Sequence, residues 1–89
     1  MNVETNKSSF LRDLKKEATP ALKAEVEQVI ESVKKAATMK DIPRMKKMKG
    51  YTIDYRIRVG SYRIGVEIEG NLVTFVAFGP RKDFYKHFP

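Results

Sequence analysis

Three arginines lie close together in the second half of this 89-residue chain, at spacings that could hold an anion such as a phosphate. Arg56 and Arg58 alternate with apolar residues, and Arg63 follows on the far side of the pair Gly60-Ser61. A guanidinium presents a planar fork of donors that matches the oxygens of a phosphate. These residues are therefore the first candidates for a binding or catalytic site.

The residues around the arginines predict a β-hairpin. The stretches YTIDYRIRV at 51–59 and YRIGVEIE at 62–69 alternate between apolar and polar residues, which is typical of half-buried strands. The Gly-first pair between them suits a two-residue type II′ turn. This turn sets Arg58 opposite Arg63 and Arg56 opposite Gly65, with all the arginines on the face away from the apolar residues.

The pairing of two arginines favours an anion site. Like charges directly opposite each other destabilise a sheet, so a bound anion is one reason for such a pair. Gly65, opposite Arg56, leaves a gap in which a ligand could approach the backbone. The alternative is a solvated basic face on which the guanidinium groups fan apart.

Other segments predict the layers that would position this hairpin. Gly70-Asn71 suits a second tight turn, and the nearly all-apolar run LVTFVAF at 72–78 predicts a third strand covered on both faces. Thr19-Pro20 predicts a helix start, with Thr as N-cap and Pro at the first helical position. Apolar residues then recur at spacings of three and four from Leu22 to Ala37, so this helix would pack on the apolar side of the sheet.

A shorter helix precedes this one, and together the two predict a helical hairpin. Ser8 and Ser9 are its N-cap candidates, Phe10, Leu11 and Leu14 form its apolar stripe, and the helix is expected to end near Ala18. Val3 and Thr5 could belong to an edge strand of the sheet.

The C-terminal tail carries two further candidates. Gly79-Pro80 redirects the chain after the third strand, and a short helical or irregular segment follows. Phe84 and Phe88, one helical turn apart, could pin this segment to the core, while Arg81 and Tyr85 would share a different side.

A basic segment leads into the hairpin. Asp41-Ile42-Pro43 breaks the second helix, and the next residues interleave four cations with Met45 and Met48. The cations are Arg44, Lys46, Lys47 and Lys49. The segment is interpreted either as a solvated loop whose methionines tuck into the core edge or as a segment that tracks nucleic-acid phosphates.

Composition limits the classes of partner. The chain has 18 Lys and Arg against 11 Asp and Glu, a net charge of +7 that favours a nucleic acid, an acidic protein segment or a membrane surface. No hydrophobic helix with a basic polar face stands out, so a membrane surface is the least favoured of these partners. The absence of cysteine and the single histidine predict neither a metal site nor a cofactor. The length predicts one domain at 1–89, and without a membrane-spanning run or a signal-peptide pattern we expect a cytoplasmic protein.

The run MKGYTIDYRIRVGSYRIGVEIEGNLVTFVAFGPRKDFY at 48–85 resembles the RelE/ParE superfamily of bacterial toxins. In that family a lysine-rich segment ending in Gly leads to a YRxRxGxYRI-like hairpin, and the chain ends in a GxRxxxY-like stretch. The resemblance implies a small α+β fold: a twisted antiparallel sheet with a helical hairpin on one face, the other face being concave and basic.

The resemblance also implies a function. RelE-like members cut mRNA in the ribosomal A site without a metal, and a cognate antitoxin neutralises them. The net charge agrees with such an antitoxin, because a basic domain attracts an acidic, partly disordered segment that folds on binding. ParE-like members share the fold but inhibit DNA gyrase and lack the nuclease residues.

Site roles follow from the resemblance one residue at a time. Tyr85 would be the base for the ribose 2′-OH, while Arg63 and Arg81 would hold the phosphate. Arg58 would stabilise charge on the leaving oxygen, and Arg56 would position the strand. Two positions depart from the family pattern: Arg58 stands where a lysine is frequent, and Pro80 where a histidine is frequent. These departures leave open a degenerate, non-catalytic basic module, and they leave His87 either as a substitute acid or base or as a surface residue.

Overall fold

A five-stranded sheet with helices on both sides forms the molecule in the computed structural model, which describes all residues 1–89. The chain begins with β1 (Asn2–Glu4), α1 (Ser8–Glu17) and α2 (Pro20–Lys35), followed by a single 3₁₀ turn at Met39–Asp41. The remaining elements are β2 (Met45–Lys47), β3 (Asp54–Val59), β4 (Tyr62–Glu69), β5 (Leu72–Pro80) and α3 (Arg81–His87).

The strand order is β1-β5-β4-β3-β2. β2 to β5 pair antiparallel, as expected for strands joined by short turns, whereas β1 lies parallel to β5. The predicted α+β architecture is confirmed, and the sheet is mixed at this one edge, where no short turn joins β1 to its neighbour β5. No helix is both long and apolar enough to cross a membrane.

The two N-terminal helices form the expected hairpin over the apolar face of the sheet. Thr19 caps α2, since its Oγ1 accepts a hydrogen bond from the Leu22 backbone N–H at 3.2 Å, and Pro20 is the first helical residue. α2 ends at Lys35, earlier than the predicted stripe, so Ala36 is buried and Ala37 is exposed. The core joins both helices to the sheet through residues such as Phe10 and Phe75, whose rings meet edge to face at 5.5 Å.

α1 also covers the outer edge of β5, which is the reason the predicted serine cap is wrong. Lys7 occupies the N-cap position without a side-chain bond, and Ser9 lies inside the first turn. Ser9 Oγ donates to the Val76 carbonyl at 2.6 Å, and Asp13 Oδ2 accepts from the Phe78 N–H at 3.2 Å. Since β1 pairs with β5 only at residues 72–74, these side chains satisfy backbone groups beyond the end of β1.

The first hairpin strand is shorter than predicted. β3 starts at Asp54, and residues 51–53 follow a turn at 49–50 as irregular chain in which Tyr51 is 47% exposed. The turn closes through two backbone bonds, from Met48 N–H to the Asp54 carbonyl and from Tyr51 N–H to the Met48 carbonyl, and Gly50 has a φ of +85°. The period-2 pattern at 51–53 therefore belongs to a loop that connects β2 to β3.

Candidate functional site

The β3–β4 hairpin has the predicted register. Gly60 has a φ of +58°, as the first residue of a type II′ turn requires, and Arg58 lies opposite Arg63. Arg56 lies opposite Gly65 on one side and opposite Lys46 of β2 on the other. Paired residues project to the same side of a sheet, so four cations share the face that the helical hairpin leaves free. We call this set the basic face: Lys46, Arg56, Arg58 and Arg63.

None of the four cations of the basic face forms an ion pair. The ion pairs of the protein join Arg12 to Asp13, Lys34 to Glu31, and Lys86 to Asp83, all within a helix. Four unneutralised cations on neighbouring strands give this side of the sheet a positive potential that attracts phosphates.

Arg63 differs from its neighbours because it is 7% exposed. Its Nη1 donates to the carbonyls of Gly60, at 3.0 Å, and Tyr62, at 2.9 Å. Its Nε is buried without a partner. One end of the guanidinium thus stabilises the turn, and a buried donor remains unsatisfied, which is costly unless a ligand supplies an acceptor.

α3 lies on the same face as the arginines. Phe84 and Phe88 are buried at 3% and 5% exposure, which confirms that they pin the tail, and their rings are 5.2 Å apart. The Arg81 N–H donates to the Ser61 carbonyl at 2.9 Å, so α3 begins at the β3–β4 turn. Arg63 and Arg81 are therefore tied to adjacent carbonyls of one turn.

Arg81 and Tyr85 share the exposed side of α3, as predicted. Together with Ser61, Tyr62, Pro80 and Lys82 they line a shallow hollow of about 600 Å³, and Tyr85 is 45% exposed. Arg56, Arg58 and Arg63 do not line this hollow. Arg58 instead lines a cavity between β3 and α2. The fold thus brings Arg63, Arg81 and Tyr85 to the region of one turn but does not gather the arginines and the phenol into a single cavity.

The predicted gap at Gly65 does not exist, because the ring of Phe88 fills it. A Cβ built on Gly65 would lie 2.8 Å from two ring carbons of Phe88. The sequence interpretation that a ligand approaches the backbone here is wrong. Glycine in the middle of β4 accommodates an aromatic ring from α3 instead.

The other end of the same sheet face is acidic. Asp54 and Glu67 lie opposite each other, and they line a cavity of about 680 Å³ between α1, α3 and the sheet. His87 lines this cavity and not the hollow beside Arg81 and Tyr85. The histidine is therefore separated from the phenol by the body of α3.

The basic segment combines parts of both interpretations. Met45 and Met48 are half-buried, and Met45 packs against the core, while the four cations are exposed. The segment contains an edge strand, β2, which sequence reasoning missed because its lysines and methionines resemble a loop. Arg44 precedes the strand with a φ of +58°, and its carbonyl accepts from the Arg58 N–H at 3.1 Å. Lysines on a short edge strand also oppose pairing with another sheet.

Comparison with known proteins identifies the family. The model of the ParE toxin of type II toxin–antitoxin systems matches residues 7–85, which is most of the chain. The chain therefore belongs to the RelE/ParE superfamily, whose members are toxins of type II toxin–antitoxin systems.

Relatives of known name point to the RelE branch. The chain is 37% identical over 82 residues to toxin RelE3 of Methanocaldococcus jannaschii, covering 91% of this chain and 92% of the relative. The toxin in the RelB–RelE antitoxin–toxin complex from Methanococcus jannaschii is 31% identical, with a TM-score of 0.78 and full coverage of both chains. The RelBE2 complex from Mycobacterium tuberculosis, at 20% identity and a TM-score of 0.68, covers 90% of this chain and 96% of its own and supports the fold.

Proposed function

We propose that this chain is a RelE-like endonuclease that cleaves mRNA on the ribosome without a metal ion. The observation that carries the proposal is the basic face, whose four cations lack ion-pair partners and whose Arg63 is bonded to the same β3–β4 turn as the Arg81 N–H. Each guanidinium or ammonium group can bind a phosphate oxygen of an RNA strand. The sequence identity of 37% with a RelE toxin over nearly the whole chain supports the same function.

The reaction is an internal transesterification. Tyr85, acting as the phenolate, accepts the proton of the ribose 2′-OH, and the 2′-oxygen forms a bond to phosphorus. The bond between phosphorus and the 5′-oxygen breaks, which leaves a 2′,3′-cyclic phosphate and a 5′-hydroxyl. Arg63, through its free Nε, and Arg81 stabilise the charge on the pentavalent phosphate.

The remaining cations bind RNA and the leaving group. Arg58 stabilises the departing 5′-oxygen by its charge and not as an acid, because arginine does not release its proton in proteins; the proton comes from water. Arg56 positions the strand at the cleaved phosphate. The cations around β2 bind the RNA backbone without sequence preference: Arg44, Lys46, Lys47 and Lys49.

We also propose a cognate antitoxin as partner. The related toxin from Methanococcus jannaschii forms a complex with the antitoxin RelB. A domain of net charge +7 with an unneutralised basic face attracts an acidic, partly disordered segment that orders on binding. Neutralisation by such a segment is expected to weaken as salt concentration rises.

A second candidate function is inhibition of DNA gyrase on the same fold. The match to the ParE toxin model favours it. A gyrase inhibitor would cause a DNA-damage response while leaving mRNA intact, so the two functions are distinguished by a single expression experiment.

The test is controlled expression followed by mapping of mRNA 5′ ends. We expect the wild type to create new ends within coding regions, and Tyr85→Phe and Arg81→Ala to reduce them about tenfold or more. The first removes the general base, and the second removes a phosphate-stabilising contact worth roughly 2.7–4 kcal/mol. Lys23→Ala, which removes an exposed cation from α2, serves as the control and should resemble the wild type. Identical maps for the wild type and the two site variants would exclude the nuclease. Absence of growth arrest with the wild type would favour a non-catalytic basic module.

A further inference from the structure

The contact between Gly65 and Phe88 fixes the helix that carries Arg81 and Tyr85. We infer that these two residues position α3 for the reaction, an inference that rests on the proposed nuclease function. Neither residue is exposed, so both act through the groups that α3 presents.

The backbone does not explain the glycine at position 65. Gly50, Gly60 and Gly70 have positive φ values, which glycine adopts more readily than other residues, but Gly65 does not. Gly79, on the neighbouring strand, has open space where a Cβ would lie. Gly65 is the one glycine whose side-chain position is already occupied, with Phe88 ring carbons at 2.8, 2.8 and 2.9 Å from a Cβ built there. Its lack of a side chain therefore serves the contact with Phe88.

α3 is held at both of its ends. The N-terminal end is fixed by the hydrogen bond from the Arg81 N–H to the Ser61 carbonyl. The C-terminal end is fixed where Phe88, whose N–H bonds to the Phe84 carbonyl at 3.0 Å, packs against Gly65. Tyr85 lies between these points; it is 45% exposed, and its ring meets the buried Phe84 ring edge to face at 5.2 Å.

The position of the phenol thus depends on a contact one turn further along the helix. A methyl group at position 65 cannot fit beneath the ring, so Phe88 must move, and the last turn of α3 moves with it. Displacements of about 1 Å at a reacting group can reduce a rate about a hundredfold, whereas exposed cations continue to bind RNA. The positioning role therefore predicts a change in kcat and not in KM.

The first test measures cleavage of mRNA on programmed ribosomes by the full chain. We expect Gly65→Ala to lower kcat about tenfold or more with an unchanged KM, because it displaces the phenol and leaves the basic face intact. Gly79→Ala is the matched control, since its methyl group meets no atom within 4 Å, and it should behave as the wild type. Phe88→Leu, which keeps an apolar side chain against Gly65, should have a kcat between those of the wild type and Gly65→Ala. Wild-type kcat in Gly65→Ala, or equal losses in the two glycine variants, would overturn the positioning role.

A double variant separates the contact from general damage. Phe88→Ala removes the ring, so adding Gly65→Ala to it should cause no further loss of kcat. Additive losses would show that Gly65 acts by another route and would overturn the inference.

Hydrogen exchange provides a measurement that does not depend on cleavage. Gly65→Ala should speed exchange of the Phe88 amide, which bonds within α3, whereas Gly79→Ala should not. If the wild type cleaves no mRNA but this difference is found, the nuclease proposal fails, while the role of the Gly65–Phe88 contact in fixing α3 is supported. Equal exchange of the Phe88 amide in both variants would show that the Gly65–Phe88 contact does not fix α3.

Discussion

Arg58 and Arg63 lie directly opposite each other on β3 and β4, yet their surroundings differ. Arg58 is exposed, whereas Arg63 is buried at 7% exposure and its Nη1 donates to two carbonyls of the adjoining turn. The pair therefore does not act as two equivalent cations. Arg63 stabilises the hairpin and offers its remaining donors to a ligand, while Arg58 contributes charge at the surface.

This difference predicts opposite effects on stability. Arg63→Ala should lower the free energy of unfolding by about 1–3 kcal/mol, because it removes charged hydrogen bonds to two carbonyls. Arg58→Ala should leave it unchanged or raise it by up to about 1 kcal/mol, because it removes a like-charge neighbour. Urea unfolding followed by circular dichroism measures both. A larger loss for Arg58→Ala than for Arg63→Ala would contradict the described arrangement.

The positions of Tyr85 and His87 on α3 predict which of them would take part in the proposed cleavage. Successive helical residues are about 100° apart, so residues 85 and 87 project to different sides. They line different cavities, with Arg81 beside Tyr85 and with Asp54 and Glu67 beside His87. We expect His87→Ala to retain wild-type cleavage and Tyr85→Phe to lose about tenfold or more, measured on programmed ribosomes. Equal losses in the two variants would assign the histidine a catalytic role.

Ser9 and Ser8 offer a matched test of the α1–β5 contact. Ser9→Ala removes the bond from Oγ to the Val76 carbonyl and should lower the free energy of unfolding by about 0.5–1.5 kcal/mol. Ser8 is exposed and makes no side-chain hydrogen bond, so Ser8→Ala should stay within about 0.5 kcal/mol of the wild type. Thermal or urea unfolding of the two variants decides the point, and equal stabilities would mean that the edge bond contributes nothing.

Salt dependence tests whether β2 contacts RNA. If Lys46 and Lys47 each neutralise a phosphate, the double alanine variant should bind single-stranded RNA with a log–log salt slope flatter by roughly 1.4. Removing Lys23 and Lys35, which are exposed on and at the end of α2, should leave the slope unchanged. Fluorescence anisotropy at several salt concentrations provides the measurement. Equal slopes for the wild type and the β2 variant would place the phosphate contacts elsewhere.

The register of the basic face could be predicted from sequence because two local signals agree. The period-2 pattern determines which side each residue faces, and the Gly-first turn determines which residues pair. Arg58 opposite Arg63 follows from these alone. The capped start of α2 was predictable for the same reason, since Thr19-Pro20 acts through neighbouring backbone atoms.

Contacts that join distant segments could not be predicted in this way. A glycine in a strand indicates a close approach but not what approaches, and only the fold brings Phe88 onto Gly65. Ser9 was expected to cap its own helix, but the outer edge of β5 offers its hydroxyl a better-placed acceptor. Nor does the period-2 pattern distinguish the buried Arg63 from the exposed Arg58 on the same face.

The parallel edge, in which Val3 pairs with Val73, has a consequence for biosynthesis. Strands so far apart in sequence cannot meet until most of the intervening polypeptide has emerged from the ribosome, whereas hairpins such as β3–β4 close early through local contacts. α3, which carries the phenol, is translated later still. In a nascent chain the basic face therefore forms before the sheet edge and α3 are complete. The folded toxin is expected only when translation of this domain is nearly complete.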